Sequence, residues 1–346
     1  EVTFQAKPIE GVAGNGKHTH VGAALKLKSG KIINLFSAIN PQNDFISPIG
    51  YGALMGLLKN YEIVNPFISP TIDSLNRLKP GFEAPICIVS SLGHNIETPS
   101  RNRTVLVGLI RDMKNMLSTR LEVRSPNPLT NSYLSIAAIY QTMLDGIKAV
   151  IKAEKDLNEL EKEISKLPSE SGFYLEYGRA YRSEEDVFDH YTPEERNSFF
   201  GVHPSTVYEN IRNLSNYPDK VKTLMDANVM DHPIIESFST AAISRWTTEI
   251  LNRMLPQYMD FVRSCKQLHQ TQNPHDLDIS YWTQINELRN HIMKDTFSYK
   301  SLCTKIREAA INKDYELLSI LQIEVKVKID ELNKLYSLYK RNLIDL

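Results

Sequence analysis

The chain has 346 residues, 42% hydrophobic and 23% charged: enough apolar material for a sizeable core, and too much for a disordered segment. Lys and Arg total 40 against 41 Asp and Glu, so a net charge of −1 leaves no cationic excess to hold nucleic acid non-specifically. The three cysteines, Cys87, Cys265 and Cys303, have neither zinc-ligand spacing nor a disulfide framework, which suits a reducing cytosol, and the apolar runs fall short of the ~20 residues of a membrane span. At ~150 residues per domain, about two domains are expected.

The chain opens Glu1-Val2-Thr3-Phe4, without Met or a basic leader. Val2 and Phe4 read as one face of a strand entered midway, so we expect a piece of something longer with no signal peptide. Up to residue 147, short apolar runs are punctuated by Gly, Pro and Asn. Strands are predicted at Ile32–Phe36, Ala84–Ser90, Thr104–Leu109 and Arg120–Arg124. Helices are predicted over Gly50–Ile63 and over Ser132–Ala153, the latter with Tyr133, Ile136, Ala137, Tyr140 and Leu144 on one face.

Beyond residue 150 only Gly172, Gly178 and Gly201 remain, and the pattern is helical. Glu154–Lys166 reads as a solvated charged stretch, and His203-Pro204-Ser205-Thr206 as a helix start. Pro233–Cys265 is amphipathic. In Asp314–Leu343, Leu318, Leu321, Val325, Ile329, Leu332, Leu335 and Tyr339 recur every three or four residues. These stripes are expected to pack together as a bundle.

Four constellations carry chemistry. Gly14-Asn15-Gly16-Lys17-His18-Thr19-His20 is a Gly-rich loop that, if extended at its end, projects both imidazoles to one face, for a metal or an anion. Arg77-Leu78-Lys79-Pro80-Gly81-Phe82-Glu83-Ala84-Pro85 is a stiff turn presenting an Arg and a Glu, or simply a surface ion pair. Arg101-Asn102-Arg103 pairs cations that suit phosphate oxygens, or is ordinary surface charge. In Arg120-Leu121-Glu122-Val123-Arg124 the three charges share one strand face, which is costly to bury unless paired or liganded. A polar active-site wall and a salt-bridge ladder both have that form.

Taken in order, with Lys7-Pro8 before them and Ser125-Pro126-Asn127-Pro128, Asn131-Ser132-Tyr133-Leu134 and Asp145-Gly146-Ile147 after, these segments resemble the C-terminal half of a glutamine synthetase catalytic domain over residues 1 to about 147, with a weaker tail to about 170. The resemblance implies an α+β fold: residues 1–170 as part of a glutamine synthetase-type antiparallel barrel with flanking helices, then residues 171–346 as an all-helical bundle. It implies ATP-dependent ligation of ammonia to glutamate through γ-glutamyl phosphate, with Mg²⁺ or Mn²⁺ as cofactor. The expected partners are glutamate, ATP and ammonia, without nucleic acid or membrane, in a cytoplasmic homo-oligomer.

By the same resemblance His18 and Glu122 would be metal ligands, Gly14, Arg77 and Arg124 would bind glutamate, and His20 and Arg120 would face the nucleotide. Arg103 would stabilise the transferring phosphoryl group, and Glu83 would shield the acyl phosphate and deprotonate ammonium. Two departures stand out. Ala13 replaces the family's usual Asn before the loop Gly, and Gly108 stands where a second Arg follows the one at Arg103, with Arg111 as a conceivable substitute. No Tyr occurs in Asp156–Pro168, where some bacterial members are adenylylated. The isolated chain is expected to be inactive, the family's small N-terminal domain and half of its metal-binding glutamates lying outside it. The alternatives are a γ-glutamyl-amine ligase and a catalytically inactive regulatory member.

Overall fold

The alternation in Arg120-Leu121-Glu122-Val123 organises the sheet. In the computed structural model, which describes residues 2–9, 12–80, 84–272 and 274–343, Leu121 and Val123 are fully buried beneath the sheet while Arg120 and Glu122 turn to the other face. The strands are β1 (Thr19–Val21), β2 (Ala24–Lys26), β3 (Ile32–Asn34), β4 (Cys87–Ser91), β5 (Val105–Ile110) and β6 (Arg120–Val123). Four of them form one sheet in the order β1-β6-β5-β4, and β2 and β3 pair as an antiparallel ribbon. β6 is antiparallel to both β1 and β5, but β4 and β5 run parallel. That pair departs from all-antiparallel pairing: the loop between β4 and β5 is long enough to carry the chain back to the starting end of the sheet.

Two predicted strands shorten for identifiable reasons. β3 stops at Asn34, whose side chain accepts from Phe36 N and donates to the carbonyls of Leu117 and Thr119, drawing the chain out of the ladder. β4 starts only after Pro85, which has no N–H to give to a ladder. Val2 and Phe4 lie in no strand and are exposed. The outer edge of β4 is covered by later chain: Ser90 N donates to Tyr181 O, Ser183 N donates to Ser90 O, and Cys87 bridges Val202.

The helices are α1 (Pro48–Lys59), α2 (Tyr61–Ile68), α3 (Ile72–Asn76), α4 (Ser132–Ala153), α5 (Leu157–Ile164), α6 (Pro193–Phe199), α7 (Val207–Asn216), α8 (Pro218–Met225), α9 (His232–Glu249), α10 (Leu255–Ser264), α11 (Asp276–Met293), α12 (Leu302–Ile311) and α13 (Tyr315–Asn342). Ser47 caps α1 by accepting from Gly50 N, and Pro48 takes the first turn, where a missing N–H costs nothing. The single helix expected over Gly50–Ile63 is two, because the Asn60 side chain donates to Gly56 O and to Asp145 Oδ2 at the break. α9 and α10 are joined by a π-helical turn, Ile250–Met254, next to Pro256.

α4 has the expected bounds but not the expected face. Ala138, Ile139, Thr142, Met143 and Gly146 are buried, whereas Tyr133, Ile136, Tyr140 and Leu144 are exposed. Glycine decides this. A Cβ on Gly146 would lie 2.6 Å from Gly56 Cα and would strike Gly52 O, so α1 and α4 meet backbone to backbone. Gly146 therefore lies within the helix instead of closing it. By length and composition alone, α4 is also the one described helix apolar enough to cross a membrane.

Glu154–Lys166 is not simply a solvated stretch. α5 buries Leu160 and Ile164, and Glu163 accepts from the backbone N–H groups of Phe173, Tyr174 and Leu175. Arg179 and Lys220 pair with Glu62 at 2.6 and 3.0 Å, and Arg182 with Glu184 at 2.6 Å. The Arg179 and Lys220 pairs tie the chain beyond residue 170 to α2. One compact unit runs through Ser205 and takes in Asn210–Ser239; the other comprises Thr206–Glu209 and the chain from Thr240 on. In the second unit α13 packs on α11 and α12, with Leu318, Leu321, Val325, Ile329, Leu332 and Tyr339 buried, while Leu335 is only partly covered.

Two substitutions test this packing. Gly146→Ala forces α1 and α4 apart; overpacking of this kind costs about 1–3 kcal/mol, and thermal unfolding should shift down by several degrees. Leu332→Asp removes a burial contribution of about 1.5–3 kcal/mol and adds a buried charge. It should lower the melting temperature of the second unit. An unchanged melt with altered light scattering would mean that the stripe serves assembly instead.

Candidate functional site

The register of β6 collects the charged residues. His20 lies opposite Glu122 on β1, and Gly108 lies opposite Glu122 on β5. The three positions form a row across the sheet with one facing direction. His18, just before β1, swings its Nδ1 to 2.8 Å from Glu122 Oε1, and Arg124 Nη1 donates to the same oxygen at 3.3 Å. His20 Nε2 is 4.0 Å from that oxygen. The carboxylate thus gathers two imidazoles and a guanidinium.

These contacts set the ionisation of the cluster. Glu122 is held below the ordinary carboxylate range, chiefly by the His18 hydrogen bond, with Arg124 adding to it against the cost of burial. His20 is held below the usual histidine value, burial being the largest cause.

The Gly-rich loop is shaped by Arg77. Arg77 donates from Nη1 to Ser125 O and from Nη2 to Arg124 O, and its Nη2 is 3.4 Å from His18 Nε2. A Cβ on Gly14 would come within 3.0 Å of Arg77 Cγ, and one on Gly16 within 3.0 Å of Arg77 Cζ. Gly14 is confined by the Ala6 carbonyl and the aliphatic stem of Arg77, and Gly16 by the guanidinium itself. Burial and the neighbouring Arg124 lower the Arg77 pKa to about 10. Much of the hydrogen-bonding capacity of Arg77 goes to backbone carbonyls.

A cavity of about 490 Å³ opens over this row, lined among others by His18, Arg101, Arg103, Gly108, Glu122 and Arg124. Arg120 and His20 stand beside it, bonded to each other at 2.9 Å through Arg120 Nε and His20 Nδ1. Glu83 lies outside the described residues. Arg111 does not take the place left by Gly108: its guanidinium donates to the carbonyls of Pro41, Asp44 and Phe45 and so fastens the loop before α1. Sequence reasoning had singled out Gly108 only as a departure. Its position facing Glu122 follows from the pairing register, which no local pattern reveals.

The 2.8 Å between His18 Nδ1 and Glu122 Oε1 matches two adjacent ligands of an octahedral ion with bonds of about 2.1 Å. The pair fits part of a coordination sphere. Among the described residues no group of three or more His, Cys, Asp or Glu is arranged to hold a metal.

A cleft with an imidazole–carboxylate pair flanked by guanidiniums is the equipment of a site for anionic substrates and a hard cation. Residues 1–175 match the glutamine synthetase catalytic-domain model, and the chain belongs to that family. It is 36% identical over 146 residues to glutamine synthetase of Clostridium saccharobutylicum, covering 42% of this chain and 29% of that protein. For the Azotobacter vinelandii glutamine synthetase the figures are 33% over 198 residues, 54% and 39%. For that of Pyrococcus horikoshii they are 37% over 150 residues, 43% and 30%. The chain therefore spans about a third of the length of these relatives. Among solved structures, Plasmodium falciparum glutamine synthetase is similar with a TM-score of 0.49 at 20% identity, over 70% of this chain and 46% of that one.

The depressed Glu122 pKa gives a signed prediction. The folded value lies below the unfolded one, so its stabilising contribution is present above the ordinary carboxylate range and is lost as pH falls through the depressed value. Carboxyl carbon NMR should place the Glu122 midpoint below ~4.3. His18→Ala should raise it. A midpoint unchanged by that substitution would contradict the role given to the imidazole.

Proposed function

We propose that this chain carries one wall of a glutamate–ammonia ligase site, at which ATP converts glutamate to γ-glutamyl phosphate and ammonia displaces the phosphate. The observation that carries the reading is Glu122 Oε1, shared by His18 and Arg124 at the floor of the cavity. His18 and Glu122 would hold Mg²⁺ or Mn²⁺, which when bound neutralises phosphate oxygens during transfer. Arg124 sits where it can orient a substrate carboxylate, with Arg77 beneath it fixing the Gly14–Gly16 loop. Arg103 lines the same cavity and would stabilise the transferring phosphoryl group. His20 and Arg120, bonded to each other, form the outer wall that a nucleotide would meet. Glu83 is assigned the shielding and deprotonating role by resemblance. The cytoplasm is the proposed location and a homo-oligomer the proposed assembly.

The bare wall at Gly108 specifically favours a second reading, in which the chain belongs to a catalytically inactive regulatory member that no longer binds nucleotide. Calorimetric titration with ATP and magnesium separates the two: saturable binding supports the ligase, and no binding at millimolar concentration supports the inert member. With only two cation-facing donors on this wall, the 346-residue chain by itself should form no glutamine from glutamate, ATP, magnesium and ammonium. Steady glutamine formation, followed by mass spectrometry, would overturn that expectation.

A further inference from the structure

Gly108 leaves a gap with a defined shape. A Cβ built there would meet only Glu122 Oε2, at 3.9 Å, so the position itself supplies neither a side chain nor a cation to the cavity. Of the guanidiniums lining this cavity, Arg124 is engaged with Glu122 and with Arg103 O. Arg103 also has a partner. Arg101 lines the cavity, is exposed, and makes no hydrogen bond or ion pair among the described residues.

The backbone on both sides of Arg101 is fixed. Asn102 Nδ2 donates to Glu185 O at 2.7 Å, while Asn102 Oδ1 accepts from Thr104 N and Thr104 Oγ1. Ser100 Oγ is bonded to Ser91 Oγ. A long cationic side chain on a pinned backbone, lacking a protein carboxylate, is an unfilled fork for phosphate oxygens.

We infer that Arg101 supplies the second guanidinium of the cavity, positioning a polyphosphate from the rim in place of the cation that Gly108 cannot provide. This rests on the nucleotide-binding reading above. Arg101 also lines a second cavity of about 520 Å³ with His94, Glu185 and His190, so the test must separate the two sides of the ridge.

The experiment is calorimetric titration of the full chain with inorganic triphosphate at low ionic strength, for the unaltered protein, Arg101→Ala, Arg101→Lys, and Arg101→Ala combined with Gly108→Arg. The room around Gly108 lets the new Arg enter the first cavity without displacing backbone. Arg101→Ala should weaken binding by about tenfold or more, Arg101→Lys by less, and Gly108→Arg should restore most of the loss. Equal binding by the unaltered chain and Arg101→Ala overturns this inference alone. A loss that Gly108→Arg does not restore also overturns it, because Arg101 then acts from the second cavity. No binding by any variant, the unaltered chain included, overturns it together with the nucleotide reading.

Discussion

One carboxylate oxygen, Glu122 Oε1, organises the site. It accepts from Arg124 just past the end of its own strand and faces His18 from the loop before β1, so it holds together residues more than a hundred positions apart. The arrangement depends on register. A slip of one residue in β6 would turn Glu122 into the core and bring Leu121 or Val123 to the surface. Full burial of those two residues opposes such a slip, so apolar packing below the sheet keeps the charged face above it in place.

The same logic extends outward. Arg77 crosses beneath the Gly-rich loop and ties it to Arg124 and Ser125. The chain beyond residue 175, outside the family match, covers the free edge of β4 and clamps the Leu92–Gly93 turn through Glu184, which accepts from both backbone N–H groups. Charged side chains bonded to backbone in this way are costly to truncate, because the buried partner is left unsatisfied. Their consequence here is geometric: they hold the Ser100–Arg103 ridge from which two arginines reach the cavity.

Local pattern made some of this legible. β5, β6 and α4 lie where period-two and period-3.6 spacing put them, and the shared face of Arg120, Glu122 and Arg124 follows directly from alternation. Other features depended on contacts distant in sequence. The buried face of α4 is chosen by Gly52 and Gly56 on α1, which outweigh the larger apolar residues on its other side. The parallel pairing of β4 with β5, the binding of Glu163 to backbone amides and the engagement of Arg111 with the loop before α1 likewise come from tertiary partners. Gly108 illustrates the difference: its identity was visible at once, and its place facing Glu122 was not.

The proposed ligase wall depends on the His18–Glu122 pair as a seat for a hard divalent cation. The most direct measurement is electron paramagnetic resonance of free Mn²⁺ titrated with the chain. The unaltered protein should deplete the free-ion signal saturably, and Glu122→Gln and His18→Ala should each weaken that depletion strongly while circular dichroism remains unchanged. Identical depletion by all three proteins, or none by the unaltered chain, would contradict it.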